Sequence, residues 1–332
     1  MPTAQSDPTF TNYTRSQAQG YLKNRLSYPK KLYETIINFH TSTGGQLDVL
    51  ADIGCGPGRA TRDLASAFDY AIGLDPGAEM IHAASNASQL DEGSNNMTRT
   101  GRSVVFAVCG AEKCAQGVID ALSASGSSVT GEKSVDLLTA AMAAHWFSMP
   151  DFWAEAARLV KPQGTVALWT CSSLYCHPST PNAAAVQKAL FRLEREVLAP
   201  YELPPNRLSR DMYDNLVLPW HLADDGNSLA SAFPESDFVR QEWDRNGILS
   251  NGQEFFLADK DDSKGETTLD SLEASLGTAS MVTRWREAHT DLAGTDKDCV
   301  KEMADEIRIA IGEQNPRFKV GNSVTLLLFK RK

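Results

Sequence analysis

The chain has 332 residues, 42% hydrophobic and 22% charged, with a formal net charge of −10 and a pI near 5.1. That length buries one large core or two modest ones, and the acid excess argues against nucleic acid as a partner, because phosphate-binding surfaces are basic. Residues 1–10 are polar and carry no apolar run, so no secretory signal is expected. The longest apolar stretch, 137–147, is too short to span a bilayer. Six cysteines without CxxC spacing read as idle thiols in a reducing compartment, with no metal site, and the expected location is the cytoplasm.

Residues 13–40 place Tyr21, Leu22, Leu26, Leu32, Ile36 and Ile37 at roughly helical spacing, and Pro29 divides the stretch into two helices. Thr43-Gly44-Gly45 stops the second. The apolar run 47–53 suits a buried parallel strand. A glycine-rich turn leads from it into a helix over 59–68, and 70–74 is a second strand closed by Asp75-Pro76-Gly77. A polar loop over 85–102 precedes a strand at 104–108, and a Ser/Gly-rich loop over 123–134 precedes one at 135–140. A helix over 152–160 and a strand over 164–170 continue the alternation. Repeated β-α-β units predict an α/β fold: a doubly wound, Rossmann-like, mostly parallel seven-stranded sheet with helices on both faces. Ligands of such a sheet bind at the carboxyl ends of its strands.

Beyond Cys171 the pattern changes. Residues 172–235 hold helical stretches such as 183–198, interrupted by Pro200, Pro204 and Pro205, and 266–311 again read as helical. Strands are expected at 238–244 and 324–329. The organisation expected is an N-terminal helical cover (1–42), a cofactor-binding core (43–171), and a C-terminal part (172–332) that adds the last sheet strands. Within it, insertions over 172–235 and much of 250–320 form a helical lid on the same folding unit.

Chemistry begins at Asp52-Ile53-Gly54-Cys55-Gly56-Pro57-Gly58, which follows a strand and opens a helix, the context a nucleotide loop requires. Glycine lets that backbone turn left-handed and approach a ligand. Asp75 lies 21 residues after Gly54, at the end of the next strand, where a carboxylate accepts hydrogen bonds from both hydroxyls of a ribose. The dinucleotide pattern G-x-G-x-x-G is not met, since Arg59 stands at its third glycine. Asp52 would repel a pyrophosphate and suit the ammonium of a methionine tail. The cofactor favoured is therefore S-adenosylmethionine. Two rivals remain at this point: an NAD(P)-dependent oxidoreductase, although the chain has no Y-x-x-x-K near the fifth strand to serve as its catalytic pair, and a cofactor-binding protein with a non-methylating role.

The run 52–58 closely resembles motif I of class I S-adenosylmethionine-dependent methyltransferases, seen as D-x-G-C-G-x-G. Asp75-Pro76 with Met80 resembles the second cofactor segment, which implies an acid on the ribose and Met80 near the adenine. Gly110-Ala111-Glu112 resembles the family's D-A-E segment at the adenine edge. Gly110 stands for the usual Asp, so Glu112 or a backbone carbonyl would take its place. Ala140-Ala141-Met142-Ala143-Ala144-His145-Trp146 resembles the A-x-A-x-H-W segment of trans-aconitate methyltransferases and their fungal relatives. Tyr21 to Pro29 resembles the N-terminal Y-x-x-x-R-P-x-Y-P of the same group, with Leu26 in place of a proline. The resemblance implies that this segment covers the cofactor and that Tyr21 or Arg25 approaches its carboxylate. The cofactor residues implied are thus Tyr21, Arg25, Asp52, Gly54, Cys55, Gly56, Gly58, Asp75, Pro76, Met80, Ala111, Glu112 and Ala140.

The resemblance further implies methyl transfer to a small molecule, a carboxylic acid such as trans-aconitate or a related metabolite. A carboxylate with pKa near ~4 is ionised at neutral pH and needs no base, whereas a phenol near ~10 benefits from one. His145, just past the fourth strand, is the candidate catalytic residue, either orienting the acceptor or taking its proton. Trp146 reads as a pocket wall. An arginine should meet an acid acceptor, and Arg284 and Arg286 around Trp285 are the candidates.

Overall fold

The computed structural model describes residues 8–25, 28–87, 96–129, 131–222, 228–250, 266–314 and 316–332. Leu26 and parts of the segments expected at 1–10, 85–102, 123–134 and 250–320 lie outside them. The glycine turn is flanked by β1 (Val49–Ile53), every residue of which is buried, and the helix Arg59–Ala65. β2 (Tyr70–Asp75), β3 (Val105–Val108), β4 (Val135–Ala141) and β5 (Val160–Cys176) follow, and β6 (Val239–Trp243) comes from the C-terminal half. A two-stranded pair, β7 (Thr267–Thr268) and β8 (Arg317–Phe318), stands apart, and β9 (Val320–Lys330) closes the chain.

Seven strands form one sheet in the order β3-β2-β1-β4-β5-β9-β6. β1 to β5 pair in parallel, and β9 runs antiparallel between β5 and β6. The chain winds outward from β1 to β3 and then returns to β4 beside β1. That reversal opens a crevice at the carboxyl ends of β1 and β4, where sheets of this kind hold ligands.

Strand alternation sorts the core into two layers. Val49, Ala51 and Ile53 pack with Val118, Phe152 and Trp153 on one face, while Leu50 packs with Leu32, Ile36 and Leu64 on the other. Likewise Leu327 and Phe329 of β9 face the first layer, and Leu326 and Leu328 the second. Each such aliphatic side chain stabilises the fold by roughly 1.5–3 kcal/mol on burial. β4 breaks strict alternation because its register against β5 shifts between Val135 and Leu137.

In the N-terminal part Thr14 caps Arg15–Asn24 in a reciprocal pair with Gln17. Pro29 opens Lys30–Ser42, as its fixed φ and missing N–H favour. Tyr28 meets the buried Trp169 of β5 edge-on at 5.5 Å, and Tyr33 meets it at 6.4 Å.

The C-terminal helices Ala183–Arg192, Leu269–Leu276, Ser280–Ala288 and Cys299–Ile311 share a third core built on Val186, Leu190, Leu272, Trp285, Met303 and Ile307. It packs against the ends of β5 and β9, beyond the sheet proper. Three details differ from expectation: β7 at Thr267–Thr268 falls inside the stretch 266–311 read as helical, and two more concern the preceding helices. The helix expected over 183–198 turns π-helical at Leu193–Val197, and Pro204-Pro205 start a helix, Pro204–Arg210, rather than interrupt one. A first-turn proline gives up only an N–H that has no partner there. Among the described residues no helix is long and apolar enough to cross a membrane, and no group of three or more His, Cys, Asp or Glu is placed to hold a metal. The six thiols are free.

Candidate functional site

A cavity of about 440 Å³ occupies the crevice between the loops after β1 and β4. Its floor is the glycine turn. Gly54 has φ +68°, and a Cβ there would come within 2.5 Å of the Ala143 Cβ, so glycine lets the two loops touch. Gly56 and Cys55 line the cavity. Burial pushes the Cys55 thiol up, with Asp75 and Asp52 adding to it, so it stays protonated.

Asp75, at the end of β2, carries the most informative geometry. Oδ1 accepts the Gly77 backbone N–H at 2.8 Å and Oδ2 accepts that of Gly56 at 2.9 Å. Each oxygen keeps a lone pair for a further donor, two in all, and the carboxyl lines the cavity. Burial pushes its pKa up to about 6, against the pull of those two amides.

Asp52 is placed otherwise than expected. Its carboxylate is fully buried, with Oδ2 accepting from the Thr61 hydroxyl at 2.6 Å and Oδ1 from Thr139 at 2.8 Å. Position 52 shares the strand face of Leu50, which points it under the turn and away from the cavity. Burial raises its pKa to about 6 while the two hydroxyls oppose the rise. It ties β1 to β4 and to the following helix instead of meeting a ligand's ammonium. Gly58 is the left-handed cap of that helix at φ +76° and does not line the cavity; its backbone approaches Phe106, whose Cε1 would lie 2.4 Å from a Cβ. Ala140 is buried in the core, and the wall is made by Ala141, Met142 and Ala143.

Two residues outside the expected set shape this end. Arg62 is buried and donates to the Pro57 carbonyl at 2.7 Å, bracing the turn from behind. Met142 is left-handed at φ +54°, and its Sδ accepts the Cys171 N–H at 2.9 Å. Arg62 has a weak sequence signal, a basic residue four places into the helix after the turn; Met142 has none.

Pro76, Met80, Ala111 and Glu112 form one flank of the cavity, and Tyr21 and Arg25 of the N-terminal part also line it. The Arg25 guanidinium stands 5.0 Å from the Tyr21 ring centre, and Arg25 Nε is buried without a hydrogen-bond partner among the described residues. Glu112 Oε1 accepts the Ser148 backbone N–H, and Oε2 turns back over Gly110, where a Cβ would come within 3.2 Å. A side chain at 110 and the present position of Glu112 therefore compete for one space.

His145 and Trp146 form the opposite wall, their ring centres 5.2 Å apart. The basic residue at this far end is neither of the two expected. Arg284 does not line the cavity: it donates to the Tyr201 carbonyl at 2.9 Å and to Asn206 Oδ1 at 2.7 Å, holding Asn206, which does. Arg286 is committed to Asp298 in a two-pronged ion pair, at 2.7 and 3.1 Å, beside a separate groove. The cavity instead receives Arg210, at the end of the helix that Pro204 opens, paired with Glu202 at 2.5 Å and 4.0 Å from Glu194. Glu194 sits in the π turn, a device often found where a helix serves a site.

Residues 51–168 match the family described as a methyltransferase domain. The chain is 34% identical over 155 residues to a Dictyostelium discoideum protein named as a methyltransferase, a match covering 47% of each chain. It is 31% identical over 149 residues to a Saccharomyces cerevisiae protein named as an S-adenosylmethionine-dependent methyltransferase, covering 45% of this chain and 43% of the relative. The chain thus spans less than half the length of these relatives. Among solved structures, one described as a type II methyltransferase from Anaeromyxobacter dehalogenans superposes with a TM-score of 0.57 at 23% identity, covering 93% of this chain and 97% of the other. That likeness shows the fold alone, a mostly parallel Rossmann-like sheet flanked by helices.

Proposed function

We propose that this chain is an S-adenosylmethionine-dependent methyltransferase acting on a small-molecule acceptor, a carboxylic acid such as trans-aconitate or a related metabolite. The observation that carries the reading is Asp75. Two backbone amides hold its carboxyl at the cavity edge and leave one lone pair on each oxygen, the complement of a ribose with two adjacent hydroxyls. Gly56 beside it has nothing within 4 Å of where a Cβ would stand, so the backbone there has room for a nucleoside. The residues present therefore fit an adenosyl group. In this reading Gly54, Cys55, Gly56 and Pro76 border the ribose, and Met80, Ala111 and Glu112 the adenine. Tyr21 and Arg25 cover the amino-acid tail. Asp52, Gly58 and Ala140 hold the turn and wall from behind.

When bound, the donor supplies an electrophilic methyl: the acceptor oxygen forms the new O–C bond while the S–C bond breaks and its electron pair passes to sulfur. The chain's own part is to align the acceptor and exclude water. His145 and Trp146 wall the acceptor. Arg210 meets its charge by exchanging Glu202 for the substrate carboxylate, replacing Arg284 and Arg286 in that role. In this reading the segment 1–42 serves as cover, 43–171 as cofactor core, and 172–332 supplies the acceptor lid insertions together with the last sheet strands.

Incubation with S-adenosylmethionine and trans-aconitate or other small polycarboxylic acids tests the reading, with mass spectrometry for the gain of one methyl group. Thermal shift with S-adenosylhomocysteine against NADH tests the cofactor separately, since only a true ligand stabilises the fold appreciably. Stabilisation by NADH alone would sink the proposal.

A further inference from the structure

His145 stands in the short turn Ala144–Trp146 directly after β4. Its Nδ1 lies 3.0 Å from the Tyr213 hydroxyl, with the ring centres 5.9 Å apart, and both side chains are buried. The other ring nitrogen, Nε2, has no hydrogen-bond partner among the described residues, and the ring forms part of the cavity wall. Tyr213 comes from the C-terminal insertion, three residues after the helix that bears Arg210. Met212 and Tyr213 are both left-handed, at φ +56° and +62°. Non-glycine residues resist such a backbone, so two in succession persist only where surrounding contacts over-determine them.

The direction of the His145–Tyr213 bond follows from the partners open to the tyrosine hydroxyl. Among the described residues the Tyr213 hydroxyl makes no other hydrogen bond, and the nearby Thr170 hydroxyl is engaged with Ser209 at 2.6 Å. Buried as it is, the phenolic proton has Nδ1 as its one acceptor, whereas a proton on Nδ1 would leave it stranded, so the tyrosine donates. Burial pushes the His145 pKa down to about 3, so the ring is neutral and carries one proton. With Nδ1 accepting, that proton sits on Nε2.

We propose that Tyr213 is a positioning residue that locks His145 as the Nε2–H tautomer, so that His145 offers the acceptor a hydrogen-bond donor and takes no proton from it. The lock stands on the geometry of the free protein, and only the identity of what meets Nε2–H rests on the function proposed above. An acceptor at this wall has to arrive already ionised. A carboxylate does so: one oxygen takes the Nε2–H while the other is left to react, and no proton moves through the protein. A phenol or alcohol finds no base in His145. The insertion that frames the acceptor thus also sets the protonation pattern of the wall it faces.

Nitrogen-15 NMR of histidine-labelled full-length protein reads the tautomer directly. The expected His145 signature is an unprotonated Nδ1 and a protonated Nε2, constant from pH 6 to 9. Tyr213→Phe removes only the hydroxyl and should mix the two tautomers. It should also lower kcat for an acid acceptor about tenfold, leaving the affinity for S-adenosylhomocysteine unchanged. His145→Gln, which keeps an amide donor near the Nε2 position, should recover activity to within about tenfold of the native protein, well above His145→Ala. A protonated Nδ1 in the native protein overturns the lock whether or not any acid is methylated. A Gln variant as inactive as the Ala variant, with a loss of the ~10²–10⁴ expected for a missing general base, overturns the donor role. An Nε2–H ring in a protein that methylates no acid supports the lock and overturns the function. The native spectrum decides the tautomer even if Tyr213→Phe fails to fold.

Discussion

Glu112 Oε1 accepts the backbone N–H of Ser148 at 2.9 Å, so the turn after β3 is tied to the segment that carries His145 and Trp146. One carboxylate thereby joins the two flanks of the cavity. Glu112→Ala removes the tie, and a lost hydrogen bond of about 1 kcal/mol should weaken S-adenosylhomocysteine about fivefold. Glu112→Gln keeps an acceptor oxygen at the same place and should stay within about twofold. Isothermal titration calorimetry compares the three proteins, and an Ala variant that binds as the native chain does removes the tie from the account.

Asp75 gives a pH dependence of defined sign. Its folded pKa of about 6 lies above the ordinary carboxyl value, with burial the largest cause. For a raised acid, the stability it contributes is fully present below the unfolded pKa and is lost as pH rises through about 6. The ligand-free protein is therefore relatively favoured on the acid side by this group, and by Asp52, whose pKa is also about 6. Ligand binding runs the other way, because ribose hydroxyls donate best to the ionised carboxylate. S-adenosylhomocysteine should bind about tenfold more weakly at pH 5 than at pH 7.5. Asp75→Asn should flatten that profile and lose on the order of 100-fold in affinity at pH 7.5, two charge-assisted hydrogen bonds being compromised. Calorimetry at both pH values checks it; an Asn variant with the native profile assigns the titration elsewhere.

Gly54 offers a steric test of the same floor. Gly54→Ala places a methyl 2.5 Å from the Ala143 Cβ and demands φ +68° of a residue that resists it. Cofactor affinity should fall at least tenfold, with a few degrees lost in Tm by calorimetry. Unchanged binding in the Ala variant means the loops after β1 and β4 have room to part.

The fold was legible because its signals were redundant. β1 reads as an unbroken apolar run, the glycine turn follows it at once, and Asp75 ends the next strand, so three independent patterns agree. What escaped was orientation. Asp52 sits on the Leu50 side of β1, a parity that decides whether it meets ligand or helix, and only its neighbours Thr61 and Thr139 reveal the answer. Arg284 and Arg286 looked equivalent to any surface arginine, and their partners Tyr201, Asn206 and Asp298 are tertiary facts. Arg210 reaches the cavity because Pro204-Pro205 open a helix where they had read as breakers. Tyr213 left no trace at all: a left-handed tyrosine carries neither the glycine nor the asparagine that would mark such a turn.

The arginines can be told apart in one experiment. Asp298 is buried, which alone would raise its carboxyl, yet the Arg286 guanidinium and the Gly294 and Val300 amides hold it below the usual range. A depressed acid contributes stability above its unfolded pKa and loses it as pH falls through the folded value. Arg286→Ala strands that carboxylate and should cost about 2–3 kcal/mol at pH 7, a penalty that shrinks as the medium is made acid. The acceptor KM should not move, because Arg286 faces another groove. Arg210→Ala should do the reverse, raising KM for carboxylic acids about tenfold or more while leaving S-adenosylhomocysteine affinity as it was. Chemical denaturation and steady-state kinetics on the two variants separate the roles; a KM effect confined to Arg286 would return the acid-binding part to that residue and take it from Arg210.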